Sequence, residues 1–290
     1  HSVLITRFTP SSVIEIGCND GYFLQWFVNR VNTVLGVEPC KTVAQSCRDK
    51  GIEVKTKYYN TDSVEPNYDL VLCNNVIAHV PNPVDLLMAI KLSLSSKGVA
   101  VIEIPMAEDI YKYNQWDTIY AEHFCYFSLY SIQNLADMVG LKIFDLERIP
   151  SHGGSYRIYL SKTQSSMVLE TPFLGAKVKE FSNDILECKH KWLRTLSRLK
   201  PDCFGAAAKG ISFLNYLGLD KDNIGFIVDE TPAKQGKLTP KSRIPIVSVE
   251  QYKQSQRSSN ILILPWNFSN EISKEMKREL NDDSFLFSRY

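Results

Sequence analysis

Short apolar runs rich in β-branched residues alternate along this chain with longer stretches whose apolar positions recur at steps of three and four. Runs at 12–21, 33–39, 68–80, 98–105, 141–149 and 153–161 predict strands, and stretches at 22–31, 41–50, 83–95 and 129–139 predict helices. This alternation predicts an α/β fold with a mainly parallel sheet. The last two runs are joined by a short turn and predict an antiparallel pair that closes the sheet.

From 173 to 199 the pattern changes. Val178, Phe181, Ile185, Cys188, Trp192, Leu196 and Leu199 fall on one face of a long amphipathic helix. Strand-like runs restart at 203–210, 224–230, 244–248 and 260–266, with helices through about 217 and near 270–280. The expected organisation is a first domain over 1–165, a linking helix over 166–200 and a smaller α/β domain over 201–290.

Composition removes several classes of function. The 290 residues carry 33 basic and 32 acidic side chains, so no global field draws the chain to nucleic acid or an anionic membrane. No apolar run approaches the roughly 20 residues of a membrane span, and no signal-peptide pattern opens the chain. A cytoplasmic location is expected. Seven cysteines without a CxxC pair point to reduced thiols rather than a metal site. The chain opens on His1 rather than Met and reads as a piece of a longer protein.

The chemistry begins at EIGCNDG, residues 15–21, which follows a strand. Gly17 and Gly21 permit a tight turn and close approach to a ligand, and Asn19 sits between them. Glu38, at the end of the next strand, is placed to accept from two ribose hydroxyls. The layout serves a dinucleotide or S-adenosylmethionine. A GxGxxG fingerprint is missing, because Gly17, Asn19 and Tyr22 occupy its positions. Glu15, two residues before Gly17, resembles the acidic position of motif I in S-adenosylmethionine-dependent methyltransferases, where it holds the methionine end of the cofactor. Asn74 and Asn75, after the fourth strand, supply amides for adenine or methionine, and either can instead cap a turn. Further on, TIYAEHFCYFS crowds Tyr120, Glu122 and His123 together, and His79 lies in the preceding strand-end loop. Titratable groups among aromatic rings are costly unless paired or used.

Five blocks in order, VIEIGCNDGYFL, NNVIAHVPNP, YAEHFCYFS, HGGSYR and GAAAKG…VDETPAKQGKLTP, resemble the nucleotide-sugar C-methyltransferases. The resemblance spans about residues 12–270. It implies a seven-stranded Rossmann-like methyltransferase domain followed by a smaller Rossmann-like domain that helps hold the sugar nucleotide. It implies S-adenosylmethionine as cofactor, S-adenosylhomocysteine as product, and no metal in this chain. The family's N-terminal zinc-binding domain, with an active-site tyrosine, has no counterpart here, so the chain is expected to be trimmed or to be a module of a larger sugar-biosynthesis protein. The implied reaction is methylation of carbon 3 beside a 4-keto group, through an enediolate. His123, Glu122, Tyr120 and His79 correspond to the catalytic group. A base should titrate near working pH, which favours histidine, so His123 is expected as base oriented by Glu122, with Tyr120 and His79 expected as donors or proton shuttles. His152, Gly153 and Arg157 in HGGSYR, with Lys209 and Lys234, are candidate contacts for diphosphate or sugar. Each of these three cationic residues also reads as a solvated or turn residue.

Three other readings stay open on these residues. A sugar O-methyltransferase needs only a base and proximity. A non-catalytic nucleotide-binding module would keep the fold without turnover. A dinucleotide oxidoreductase would use either Rossmann-like half.

Overall fold

A computed structural model describes residues 1–167, 169, 177–280 and 285–287. The chain forms two compact units, His1–Glu108 with Glu122–Phe173, and Asp109–Ala121 with Leu174–Tyr290. Residues 109–121, expected within the first domain, therefore group with the second.

The first unit runs α1 (Ser2–Phe8), β1 (Ser12–Ile16), β2 (Thr33–Val37), α2 (Lys41–Arg48), β3 (Glu53–Lys55), β4 (Tyr68–Asn74), α3 (Pro83–Ser93), β5 (Leu94–Ile104), α4 (Ala107–Lys112), α5 (Leu129–Val139), β6 (Lys142–Ile149) and β7 (Ser155–Ser161). By its contacts, α4 passes into the second unit at Asp109. The seven strands are ordered β3-β2-β1-β4-β5-β7-β6, parallel except for β7, which is antiparallel to β5 and β6. This is the Rossmann-like arrangement, with the expected closing pair.

Both faces of the sheet are covered, as a parallel sheet requires. Alternate residues of β4 and β5 divide between two cores. Val71, Cys73, Ala100 and Ile102 meet Leu86, Leu87 and Ile90 of α3 and Ile132 and Leu135 of α5. Leu70, Leu72, Val99 and Val101 meet Leu4 of α1, Leu24 and Phe27, and Ala44 and Cys47 of α2. Helix α3 starts where Asn82 accepts from the Asp85 amide at 3.1 Å, with Pro83 beside it. Helix α5 stops at Gly140, whose φ of 73° suits a left-handed end.

One predicted helix is absent. Residues 22–31 make only a 3₁₀ turn, Leu24–Phe27, ended by extended Val28 and by Asn29 at φ 62°. Leu24 and Phe27 are fully buried one 3₁₀ turn apart, so the turn satisfies the core without a longer helix.

The second unit holds α6 (Lys177–Leu199), β8 (Asp202–Phe204), α7 (Ala208–Leu217), β9 (Ile227–Val228), β10 (Ile246–Val247), α8 (Val249–Gln254), β11 (Ile261–Ile263), α9 (Ser269–Leu280) and β12 (Phe285–Phe287). Its five strands are parallel in the order β10-β9-β8-β11-β12. The helix expected as a link packs into this unit's core, where Phe181 and Leu196 join Phe213, Leu214 and Leu262. The side chain of Val178 lies outside the described residues. Trp116, from the 109–121 segment, stacks on Phe213 with ring centroids 5.6 Å apart. Among the described residues, no helix is long and apolar enough to cross a membrane.

Candidate active site

The turn after β1 is built by backbone constraint. Gly17 has φ 69° and its amide donates to Val37 O at 2.8 Å. A Cβ there would lie 2.4 Å from Val76 Cγ2, so only glycine fits between this turn and the loop after β4. Asn19 also takes a left-handed φ of 52°. Its amide donates to Glu38 Oε2 at 3.3 Å, while the Cys40 amide donates to Glu38 Oε1 at 2.9 Å. The β2 carboxylate is thus fixed beside the turn. Gly21 closes it, with its amide on Cys18 O at 2.9 Å.

Glu15, Gly17, Asn19, Glu38, Asn74, Asn75, His79 and Arg157 all line one cavity of about 1550 Å³ above the carboxyl ends of the strands. Ordinary small-molecule pockets run to roughly 300–1,000 Å³, so there is room for two molecules side by side. Glu15 is a buried carboxyl in the cavity lining. Its side chain is 3% exposed, Oε1 accepts from Asn74 Nδ2 at 3.0 Å, and no donor meets Oε2. Burial raises its carboxyl to about 8, against the opposing pull of the Asn74 hydrogen bond, and Asp20 adds to the rise. Asn74 therefore serves as a holder of Glu15. Asn75, at φ 55°, donates its amide to Glu103 O at 2.7 Å and shapes the loop.

The segment from Glu122 is tied to the loop after β4. His79 Nδ1 lies 2.8 Å from Glu122 O, and the Phe124 amide donates to Ala78 O at 2.8 Å. In a neutral His79 this bond places the proton on Nδ1 and leaves Nε2 as acceptor. The His79 and His123 rings are 4.7 Å apart, and His123 meets Tyr126 edge to face at 5.8 Å. His79 lines the cavity itself, and His123 stands against it. Glu122 reaches this pair through its carbonyl.

A family model described as "Methyltransferase domain" covers residues 2–146, half of the chain. The chain belongs to the S-adenosylmethionine-dependent methyltransferases. A second model, "C-methyltransferase C-terminal domain", matches residues 174–287 of this methyltransferase. C-methyltransferase NovU of Streptomyces niveus is 29% identical over 294 residues, covering 93% of this chain and 70% of that protein. Among solved structures, an S-adenosylmethionine-dependent methyltransferase from Clostridium acetobutylicum superposes with a TM-score of 0.45 at 9% identity, over 54% of this chain and 87% of that one. The PH0226 protein from Pyrococcus horikoshii gives 0.48 at 13%, over 55% and 86%.

The residues present fit the cofactor. A buried carboxyl oxygen without a donor suits an α-ammonium group, Glu38 is fixed to accept from a ribose, and the Gly17 turn leaves no side chain in the way. Among the described residues, no group of three or more His, Cys, Asp or Glu side chains is placed to hold a metal.

The remaining predicted residues of the methyltransferase separate. Arg157 is clamped by Glu103 and Glu147, each at 3.2 Å, across the β5–β7–β6 register. Its charge is already matched, and it braces the antiparallel end of the sheet. Gly153, at φ 90°, lies in the short turn before β7, and the side chain of its neighbour His152 lies outside the described residues. Tyr120 belongs to the second unit, as do Lys209 and Lys234. Lys209 sits at the start of α7 with Nζ 5.1 Å from the Trp266 ring centroid, and burial lowers its ammonium pKa. Trp266 Nε1 donates to Asp117 Oδ2 at 2.7 Å. Lys234 pairs with Asp229 at 3.1 Å, and Asp229 also accepts from the Ala206 and Thr231 amides. Burial pushes the Asp229 carboxyl up, yet these bonds outweigh it and hold it below its usual range.

Sequence reasoning missed the cavity wall after β3, formed by Lys57, Tyr58, Tyr59 and Asn60. The aromatic pair before an asparagine was the available signal, but a three-residue strand gave it no frame.

Proposed function

We propose that this methyltransferase transfers a methyl group to a carbon of a nucleotide-linked deoxysugar, next to a 4-keto group. The observation that carries the reading is the His79–His123 pair at the wall of the cofactor cavity, in a chain whose second half matches the C-methyltransferase C-terminal domain.

Carbon attacks only after losing its proton, and a neighbouring ketone makes that proton acidic. In this reading His123 removes it, with Glu122 orienting the loop, and the electron pair moves into an enediolate. A doubly protonated His79, with Nδ1–H on the Glu122 carbonyl, donates Nε2–H to the enediolate oxygen, where preorganised donors count most. Glu15, Asn19 and Glu38 hold S-adenosylmethionine, which supplies an electrophilic methyl group when bound. Gly153 lets a sugar approach the backbone, and Arg157, held by Glu103 and Glu147, braces the strand that follows it. Lys234 is held by Asp229 and braces its own turn.

The test is incubation with S-adenosylmethionine and a panel of nucleotide sugars with and without a 4-keto group. Carbon NMR of the product should place the methyl on carbon 3, and deuterium at that carbon should wash out into water. A methyl on oxygen, or turnover of sugars lacking the ketone, would overturn it.

A further inference from the structure

Two thiols from different elements meet behind the cofactor turn. Cys18 follows Gly17 in the turn after β1, Cys47 lies on α2, and their sulfurs are 3.9 Å apart. Both side chains are buried and both are free thiols. Cys18 also lines the cofactor cavity, so a small molecule reaches it from the ligand's side. We infer that Cys18 and Cys47 form an oxidative modification site: a peroxide entering the ligand-free cavity joins them in a disulfide, and the bridge weakens cofactor binding.

Two glycines make room for the pair. A Cβ on Gly36 of β2 would lie 2.5 Å from Cys18 Sγ, and one on Gly21 would lie 2.6 Å from Cys47 Sγ. Bonded sulfurs stand about 2.05 Å apart, so each must approach the other by roughly 1 Å. The Asp20–Lys50 ion pair at 2.9 Å already ties the turn to the residues just after α2, which confines that approach to a short stretch. Drawing Cys18 toward α2 pulls on its neighbour Asn19, whose amide donates to Glu38 Oε2 at 3.3 Å. That is the longer of the two bonds fixing the Glu38 carboxylate, the other being 2.9 Å from the Cys40 amide. The bridge therefore loosens the acceptor held ready for the ribose.

The chemistry balances with hydrogen peroxide as oxidant. The Cys18 sulfur attacks one peroxide oxygen, the O–O bond breaks, and a sulfenic acid and one water form. The Cys47 sulfur then attacks the Cys18 sulfur and expels the second water. Together the two thiols lose two electrons and two protons, and the peroxide is reduced to two waters. Burial holds both thiols above their usual range, so thiolate is scarce and the pair responds to sustained rather than brief exposure. A bound cofactor fills the cavity and shields Cys18.

The experiment treats the intact chain with hydrogen peroxide, blocks remaining thiols, and maps tryptic peptides by mass spectrometry. Peptides 8–30 and 42–48 should appear joined, two hydrogens lighter than their sum. Saturating S-adenosylhomocysteine should suppress the joined species, and dithiothreitol should reverse it. By calorimetry the bridged protein should bind S-adenosylhomocysteine about tenfold more weakly than the reduced protein. Cys47→Ala, outside the cavity lining, should bind as the wild type does and lose the response to peroxide; if it does not fold, Cys47→Ser replaces it. Absence of the joined peptide, equal joining with ligand present, an affinity unchanged by the bridge, or a response that survives in the Cys47 variant would each overturn the inference. Failure of the reduced protein to bind S-adenosylhomocysteine would instead overturn the cofactor reading of the cavity, and with it the effect ascribed to the bridge.

Discussion

The Asn74 side chain donates to Glu15 Oε1 at 3.0 Å, so one oxygen of a buried, cavity-lining carboxyl is matched while Oε2 is buried and unmet. A charge-assisted bond to a ligand ammonium is worth about 1.5–3 kcal/mol. Glu15→Gln should therefore weaken S-adenosylhomocysteine binding by roughly tenfold to a hundredfold, measured by calorimetry at pH 8. An unchanged affinity would remove Glu15 from the cofactor site.

The same carboxyl sets a pH dependence. Its ordinary value is near 4.5 and burial raises it to about 8, so the folded ligand-free protein keeps a proton that the unfolded chain has lost. Its contribution to stability is full below about pH 4.5 and declines as pH rises to about 8. An ammonium ligand must expel that proton, so affinity should rise with pH between 6 and 8. Titrations in two buffers of different protonation enthalpy should show proton release, and Glu15→Gln should abolish it.

Gly17→Ala tests the turn. The substitution forces a side chain to φ 69° and a Cβ to 2.4 Å from Val76 Cγ2. Strain of this kind costs on the order of 1–3 kcal/mol, which urea denaturation should report as a lower midpoint. Pairing it with Val76→Ala should recover the steric part and leave the backbone part.

For the proposed base, His123→Gln should reduce turnover by about 10²–10⁴-fold while leaving S-adenosylhomocysteine affinity within about twofold. Full activity in the variant would move the base elsewhere, and His79→Gln would then be the next substitution to assay.

Much of this was readable in the chain because period and burial agree. Strands β1, β4 and β5 are apolar on both faces, and their runs stand out. The stretch 22–31 misled because its aromatic spacing fits a helix, whereas burial of Leu24 and Phe27 is met by one 3₁₀ turn and Asn29 turns the chain away. Strand β3, Glu53–Lys55, is too short to show alternation, so the cavity-lining residues beyond it went unread. The convergence of Glu15, Glu38 and His79 on one end of the sheet was legible from motif position alone. The clamp of Arg157 by Glu103 and Glu147 was not, because the three meet only through sheet register.

Since the stretch 109–121 associates with the later unit while its flanks belong to the earlier one, the polypeptide passes from one unit to the other three times. No single scission can release either half intact. A gene fragment ending near 165 would carry Ile110 and Trp116 stripped of Phe213 and Leu214, their neighbours in the later core. Replacing the C-terminal unit by a foreign one would therefore require recoding this strap as well, because its residues belong to that unit while its flanks do not.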